Sequence, residues 1–108
     1  MDSCEPMVVA MRWLDAYRCV SLNEIVAMHS PDAVIDCACE VGGVIQGKED
    51  IAAYWQQRIG EGPPLELLDF DTAGREVVIV YRTNGGIVEA LLDITEDGLI
   101  THCSCGRV

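Results

Sequence analysis

The stretch Ser21-Leu-Asn-Glu-Ile-Val-Ala-Met-His-Ser-Pro-Asp-Ala-Val-Ile-Asp36 changes texture twice in sixteen positions and sets the pattern for the whole chain. It opens as a capping box. The Ser21 hydroxyl and the Glu24 carboxylate can each satisfy a free amide at a helix start, so a short helix ending near His29 is predicted. Ser30-Pro31-Asp32 breaks that helix, because proline removes a donor and restricts the residue before it. The following Ala33-Val34-Ile35-Asp36-Cys37-Ala38-Cys39 is β-branched in its first half, as a strand would be.

Working outward from there, residues 6–20 place Met7, Ala10, Leu14 and Tyr17 on one helical line and Val9, Trp13, Ala16 and Val20 beside it, behind Pro6 at a first-turn position. Downstream, Gly42-Gly43 turns the chain into a brief Val44-Ile45 strand. A third helix then begins with Glu49 and Asp50, which suit a helix N-terminus, and its apolar face is Ile51, Tyr54, Trp55 and Ile59. Gly60-Glu61-Gly62-Pro63-Pro64 stops it. From Leu65 the chain falls into segments of about eight residues separated by Thr72-Ala73-Gly74-Arg75, Asn84-Gly85-Gly86 and Thr95-Glu96-Asp97-Gly98, which predicts an antiparallel meander of four strands. The result is an α+β plan, with three helices in the N-terminal half packed on one face of a curved, mostly antiparallel sheet. No internal repeat or linker interrupts it, so residues 1–108 read as a single domain.

The 108 residues are half apolar and 23% charged, enough for one sizeable core and too apolar for a disordered chain. A net charge of −11 repels phosphate backbones and anionic lipid surfaces, which argues against nucleic-acid and membrane partners. No apolar run approaches the roughly 20 residues that span a bilayer. The start Met-Asp-Ser-Cys-Glu-Pro lacks a basic segment and an apolar signal core, so a cytoplasmic protein with reduced thiols is expected.

The stretch from Ser21 to Asp36, together with Gly43-Val-Ile-Gln-Gly-Lys-Glu-Asp-Ile-Ala-Ala-Tyr-Trp55 and Asp97-Gly-Leu-Ile100, resembles the nuclear transport factor 2-like (cystatin-like) superfamily, with its SnoaL-like and ketosteroid-isomerase-like groups nearest. The likeness covers nearly the whole chain. It implies a cone-shaped fold with an apolar pocket for a small hydrophobic organic ligand between helices and sheet, and a homodimer through the opposite sheet face. It does not select one function, because this scaffold hosts isomerases, cyclases, hydrolases and non-catalytic modules.

By that resemblance Asp93 matches a penultimate-strand aspartic acid that donates a hydrogen bond to an enolate oxygen, and apolar neighbours would favour its protonated form. A solvated strand-end carboxylate is the other reading of Asp93. Trp13 takes the place of a helix-one tyrosine and offers an N–H donor that cannot ionise. Tyr17 lies one turn later and could substitute for that tyrosine, while the favoured reading of both is as large core aromatics. Trp55 falls where a supporting tyrosine would stand. The family's proton-shuttling carboxylate aligns with Cys37, which as a thiol among apolar groups is inert; a shift of one residue would make Asp36 the base instead. The resemblance points His102 and Ser104 into the pocket, so Asp93 and His102 form the expected catalytic acid/base pair, with a packed histidine as the alternative. Trp13, Tyr17, Cys37 and Trp55 are the expected substrate contacts.

If His102 faces the pocket, alternation turns Cys103 and Cys105 away from it. Cys37-x-Cys39 and Cys103-x-Cys105 would then lie on opposite sheet faces, and each pair has one intervening residue where structural zinc sites usually have two to four. No metal and no cofactor are expected. Two functions remain open: a cofactor-independent isomerase or lyase acting next to a carbonyl, and a non-catalytic ligand-binding or dimerisation module.

Overall fold

The computed structural model describes residues 5–37 and 43–107. Pro6 stands in the first turn of helix α1 (Pro6–Arg18), where its missing N–H leaves no bond unmade. The chain continues as α2 (Leu22–Ala27), β1 (His29–Cys37), β2 (Val44–Gln46), α3 (Lys48–Glu61), β3 (Glu66–Ala73), β4 (Glu76–Thr83), β5 (Gly86–Ile94) and β6 (Ile100–Arg107). This is the predicted α+β order.

Helix α1 stops two residues earlier than its apolar pattern. Val20 N–H bonds Tyr17 O at 3.2 Å and Ser21 N–H bonds Ala16 O at 2.9 Å, which is a Schellman closure. Val20 holds the left-handed position that glycine usually fills, with φ of 59°. The same closure explains why the expected capping box does not form. Ser21 is the N-cap of α2 but makes no side-chain cap bond, and the amide that Glu24 would reach is already held by Ala16. Strand β1 also begins earlier than predicted, at His29, and passes through Pro31 where its register against β6 shifts between His29 and Val34. A bulged passage accommodates the donor that proline lacks. The predicted extension of this strand through Ala38 to Cys39 lies outside the described residues.

The six strands form one sheet in the order β2-β1-β6-β5-β4-β3. Strands β1 and β6 run parallel and the other pairs antiparallel. Two-residue turns at Gly74-Arg75 and Asn84-Gly85 connect β3, β4 and β5. Arg75 fastens this end of the sheet by donating from Nε to Ile94 O (2.8 Å) and from Nη2 to Thr95 O (2.7 Å). Helix α3 ends before Gly62, whose φ of 122° is a backbone conformation that other residues rarely adopt, and a Cβ there would come within 3.0 Å of Asn84 Nδ2.

The core lies between the helices and one sheet face. Trp13 and Tyr17 of α1, Ile51 and Trp55 of α3, and Val77, Ile79, Tyr81, Ala90 and Leu92 of the sheet are almost fully buried. Trp13 meets Tyr17, Trp55 and Tyr81 edge-to-face with ring centroids 5.6–6.2 Å apart, which ties α1, α3 and β4 together. Such pairs add about 0.5–1.5 kcal/mol each beyond area burial. Among the described residues no helix is long and apolar enough to cross a membrane.

Val20 is a β-branched residue in a left-handed conformation, and its side chain is half in solvent, so little burial would be lost on shortening it. Val20→Gly should raise unfolding stability by about 0.5–1 kcal/mol, the relief of a left-handed side chain less the added freedom of the unfolded chain. Urea titration of the two proteins measures this, and a loss of stability would contradict it.

Candidate functional site

The face of the sheet that the helices cover is set by β5 and β6. On β5 the buried residues are Val88, Ala90, Leu92 and Ile94, which leaves Asp93 on the outer face. On β6 they are Ile100, Cys103 and Cys105, three and then two residues apart. The pairing explains that spacing, because Asp93 faces His102 but Ile94 faces Ile100, making Thr101 an extra residue on β6. Such a bulge reverses the alternation beyond it.

Two expectations are therefore corrected. His102 and Asp93 are brought together, Nδ1 to Oδ2 at 3.8 Å, but on the outer face, with side chains 40% and 47% exposed. Cys103 and Cys105 point inward, where His102 and Ser104 were expected. Asp36 is also exposed, so a one-residue shift does not bring that carboxylate inside. Cys37 pairs in parallel with Cys105, and its side chain lies outside the described residues.

The interior holds a different polar group. Helical spacing of four on α3 puts Tyr54 and Arg58 one above the other. The Tyr54 hydroxyl and Cys105 Sγ are 3.1 Å apart, and the Arg58 guanidinium lies 5.9 Å from the Tyr54 ring centroid. The Arg58 side chain is only 12% exposed. Its Nη1 stands 3.7 Å from Glu61 Oε1, longer than a hydrogen bond, and its Nε is buried without a hydrogen-bond partner. Burial raises the Tyr17 hydroxyl above the usual phenol range, opposed by the charge and hydrogen bond of Arg58. Tyr81 is raised further, again chiefly by burial. Burial disfavours the Arg58 charge, but a guanidinium is not deprotonated in proteins, so Arg58 remains charged. At neutral pH the cluster is one cation among neutral phenols.

The two interior tryptophans differ in one bond. Trp55 Nε1 donates to His29 Nε2 at 3.3 Å, and His29 Nδ1 in turn meets Ile25 O at 2.8 Å. This places the histidine proton on Nδ1 and links α3 to β1 and α2. Trp13 is equally buried, yet its Nε1 has no hydrogen-bond partner. Of the expected substrate contacts, Trp13 and Tyr17 thus meet at the polar cluster, whereas the Trp55 N–H is committed to His29. A hollow of about 160 Å³ beside His29, Pro31 and Lys48 is separate from this cluster.

Sequence reasoning missed Arg58, Tyr81 and Cys105. The signal for Arg58 was present: Ile51, Tyr54, Trp55 and Arg58 fall on one helical face, which puts a cation among residues expected to be buried.

No protein-family model matches the sequence, and no curated protein matches it. Solved structures do. A SnoaL-like protein of unknown function from Burkholderia thailandensis is 21% identical, with a TM-score of 0.77 over 89% of this chain and 88% of that chain. SalBIII, an epoxide hydrolase/cyclase-like enzyme in pyran ring formation in the polyether salinomycin, is 14% identical with a TM-score of 0.79, over 94% and 88% of the two chains. A de novo designed protein with a curved β-sheet is 16% identical with a TM-score of 0.78, over 95% and 84%. At these identities the likeness is one of fold.

Two stability measurements check the interior. Trp13 and Trp55 are both fully buried, so replacing either by Phe removes similar area; but Trp55→Phe also strands an acceptor on His29, while Trp13→Phe removes an unsatisfied donor. Trp55→Phe should cost about 1–3 kcal/mol more than Trp13→Phe, and equal costs would contradict the assignment. The second concerns pH. Burial lowers His29 below its ordinary 6.5. Between that lowered value and 6.5 the unfolded chain binds a proton that the folded chain does not. The contribution of neutral His29 is then complete above about pH 6.5 and is lost progressively below it. The stability difference between wild type and His29→Gln should shrink on acidification through this window, read from urea titrations at several pH values. A constant difference would refute it.

Proposed function

We propose that this chain, which has the SnoaL-like fold of the nuclear transport factor 2-like superfamily, binds a small organic molecule against the interior wall formed by α1, α3 and the inner face of the sheet. One observation carries the reading: two buried N–H donors, Trp13 Nε1 and Arg58 Nε, lack a protein acceptor, and both side chains neighbour Tyr17. Buried polar groups are almost always hydrogen-bonded, and a pair left open on one wall is suited to a ligand oxygen. The aromatic rings of Trp13, Tyr17 and Tyr81 supply apolar contact around these donors.

The alternative, a cofactor-independent isomerase or lyase acting next to a carbonyl, draws on the same donors, which would hold a developing enolate oxygen. It also needs a group to take the proton. The outer-face positions of Asp93, His102 and Asp36 deprive it of the bases that the sequence offered, which favours binding over turnover. A homodimer through the outer sheet face belongs to the same reading. Val78, Val80 and Leu91 on that face are half-buried in the single chain and would be covered by a partner.

A thermal-shift screen of aromatic ketones, phenols and carboxylic acids tests the binding reading. A ligand at about 100 times its Kd adds about 2.7 kcal/mol, a shift of several degrees for a domain of this size. Stabilisation should occur with at least one class and be reduced in Trp13→Phe, while Asp93→Asn should respond as wild type does. Absence of stabilisation by every class would overturn the proposal.

A further inference from the structure

We propose that the molecule held by this wall is an organic anion, with its carboxylate against Arg58 and the Tyr17 hydroxyl and Trp13 indole N–H as further donors. The inference rests on the small-molecule reading and adds the charge of the ligand to it. Its first support is an imbalance. Among the described residues, the buried polar and charged side chains are His29 and Ser30, and no Asp or Glu is buried. Arg58, at 12% exposure, is therefore a cation drawn into the interior without an equally buried carboxylate. Glu61 is the ion-pair partner at 3.7 Å, but that distance is beyond hydrogen bonding and its side chain is 39% exposed, so water screens it. A charge in this position favours a counter-ion that is itself desolvated.

The second support is the character of the neighbouring groups. A guanidinium presents its N–H donors in a planar fork that matches a carboxylate with two parallel bonds, and the Nε end of this fork is unpartnered. Tyr17 lies within electrostatic reach of Arg58, and its phenol keeps a proton to give. Burial holds Tyr17 and Tyr81 in their neutral, proton-bearing forms. Trp13 can only donate, and its ring is fully buried. The wall is thus rich in donors and poor in acceptors, the reverse of what a cationic or amine ligand would require. The edge-to-face rings of Trp13, Tyr17 and Tyr81 suit an aromatic or alicyclic body behind the acid group.

Isothermal titration of the wild-type protein with naphthoate and with naphthamide, which differ in charge but little in shape, tests this. Naphthoate should bind at least about tenfold more tightly. Sodium chloride and inorganic phosphate serve as separate arms, since a bare anion could satisfy the same fork. Arg58→Gln should abolish the preference for the acid, and Arg58→Lys should retain part of it. Equal binding of acid and amide to wild type would overturn the anion inference while leaving the small-molecule reading intact. Failure of both to bind would overturn the anion inference, whereas the small-molecule reading falls only if the wider thermal-shift screen also fails. Binding of chloride or phosphate that naphthoate does not compete away would overturn the organic-acid assignment. The wild-type comparison stands even where an Arg58 variant does not fold.

Discussion

One extra residue on β6 decides what the interior of this protein is made of. Thr101 sits opposite the step from Asp93 to Ile94, and its hydroxyl bonds Asp93 O at 3.3 Å. Because strand side chains alternate with a period of two, that single insertion reverses the inner and outer faces for everything after it. Ile100 before the bulge and Cys103 after it are both buried. Without the bulge the inner wall would carry an imidazole and a hydroxyl; with it the wall carries two thiols. Cys105 can then meet the Tyr54 hydroxyl, and Tyr54 in turn lies beside Arg58. The proton-exchanging pair that the sequence suggested is the pair that the bulge turns out to solvent.

The charge distribution follows the same division. The chain carries −11 overall, yet its acidic side chains lie in solvent or half-buried, whereas an arginine lies inside. On the outer sheet face Asp69 and Asp71 of β3 and Glu89 and Asp93 of β5 stand on either side of β4, as the register of β3, β4 and β5 requires. In the single chain their mutual repulsion is screened by water and salt. Arg58 has no such screening, so its position depends on local dipoles, the π-face of Tyr54 and the hydroxyl of Tyr17. The acidic exterior attracts Arg58 only weakly through solvent.

The fold was legible in the sequence because its signals are local. Pro6, the turn at Asn84-Gly85, the glycine after α3 and the helical spacing of Trp13 and Tyr17 each act within a few residues, and together they give the order of elements. What failed were features that depend on two elements at once. The capping box at Ser21 was lost to the end of the preceding helix, because one amide cannot serve both Ala16 and Glu24. The facing of His102 was lost to a bulge defined only by pairing with β5. Both faces of Ala90-Leu91-Leu92 are apolar, so alternation on that strand offered no correction. For the site, Trp13 and Tyr17 were legible as aromatics on one helix face, and Arg58 was legible in position but hidden by its residue type, since arginine in an amphipathic helix is usually at the surface.

The likeness to a designed protein with a curved β-sheet bears on where function resides. A similar backbone shared with an epoxide hydrolase/cyclase-like enzyme and with a design means that the cone alone specifies no chemistry. Specificity must come from side chains that the fold tolerates but does not need. Most of this interior is needed: the edge-to-face rings and the Trp55–His29–Ile25 chain hold helices to sheet, and the polar atoms of that chain are satisfied. Trp13 Nε1 and Arg58 Nε stand apart, because a phenylalanine and a leucine would fill similar space without leaving donors open. Groups that a fold does not need and that cost stability when unpaired are the natural place for a ligand to act, since binding satisfies them and folding alone does not.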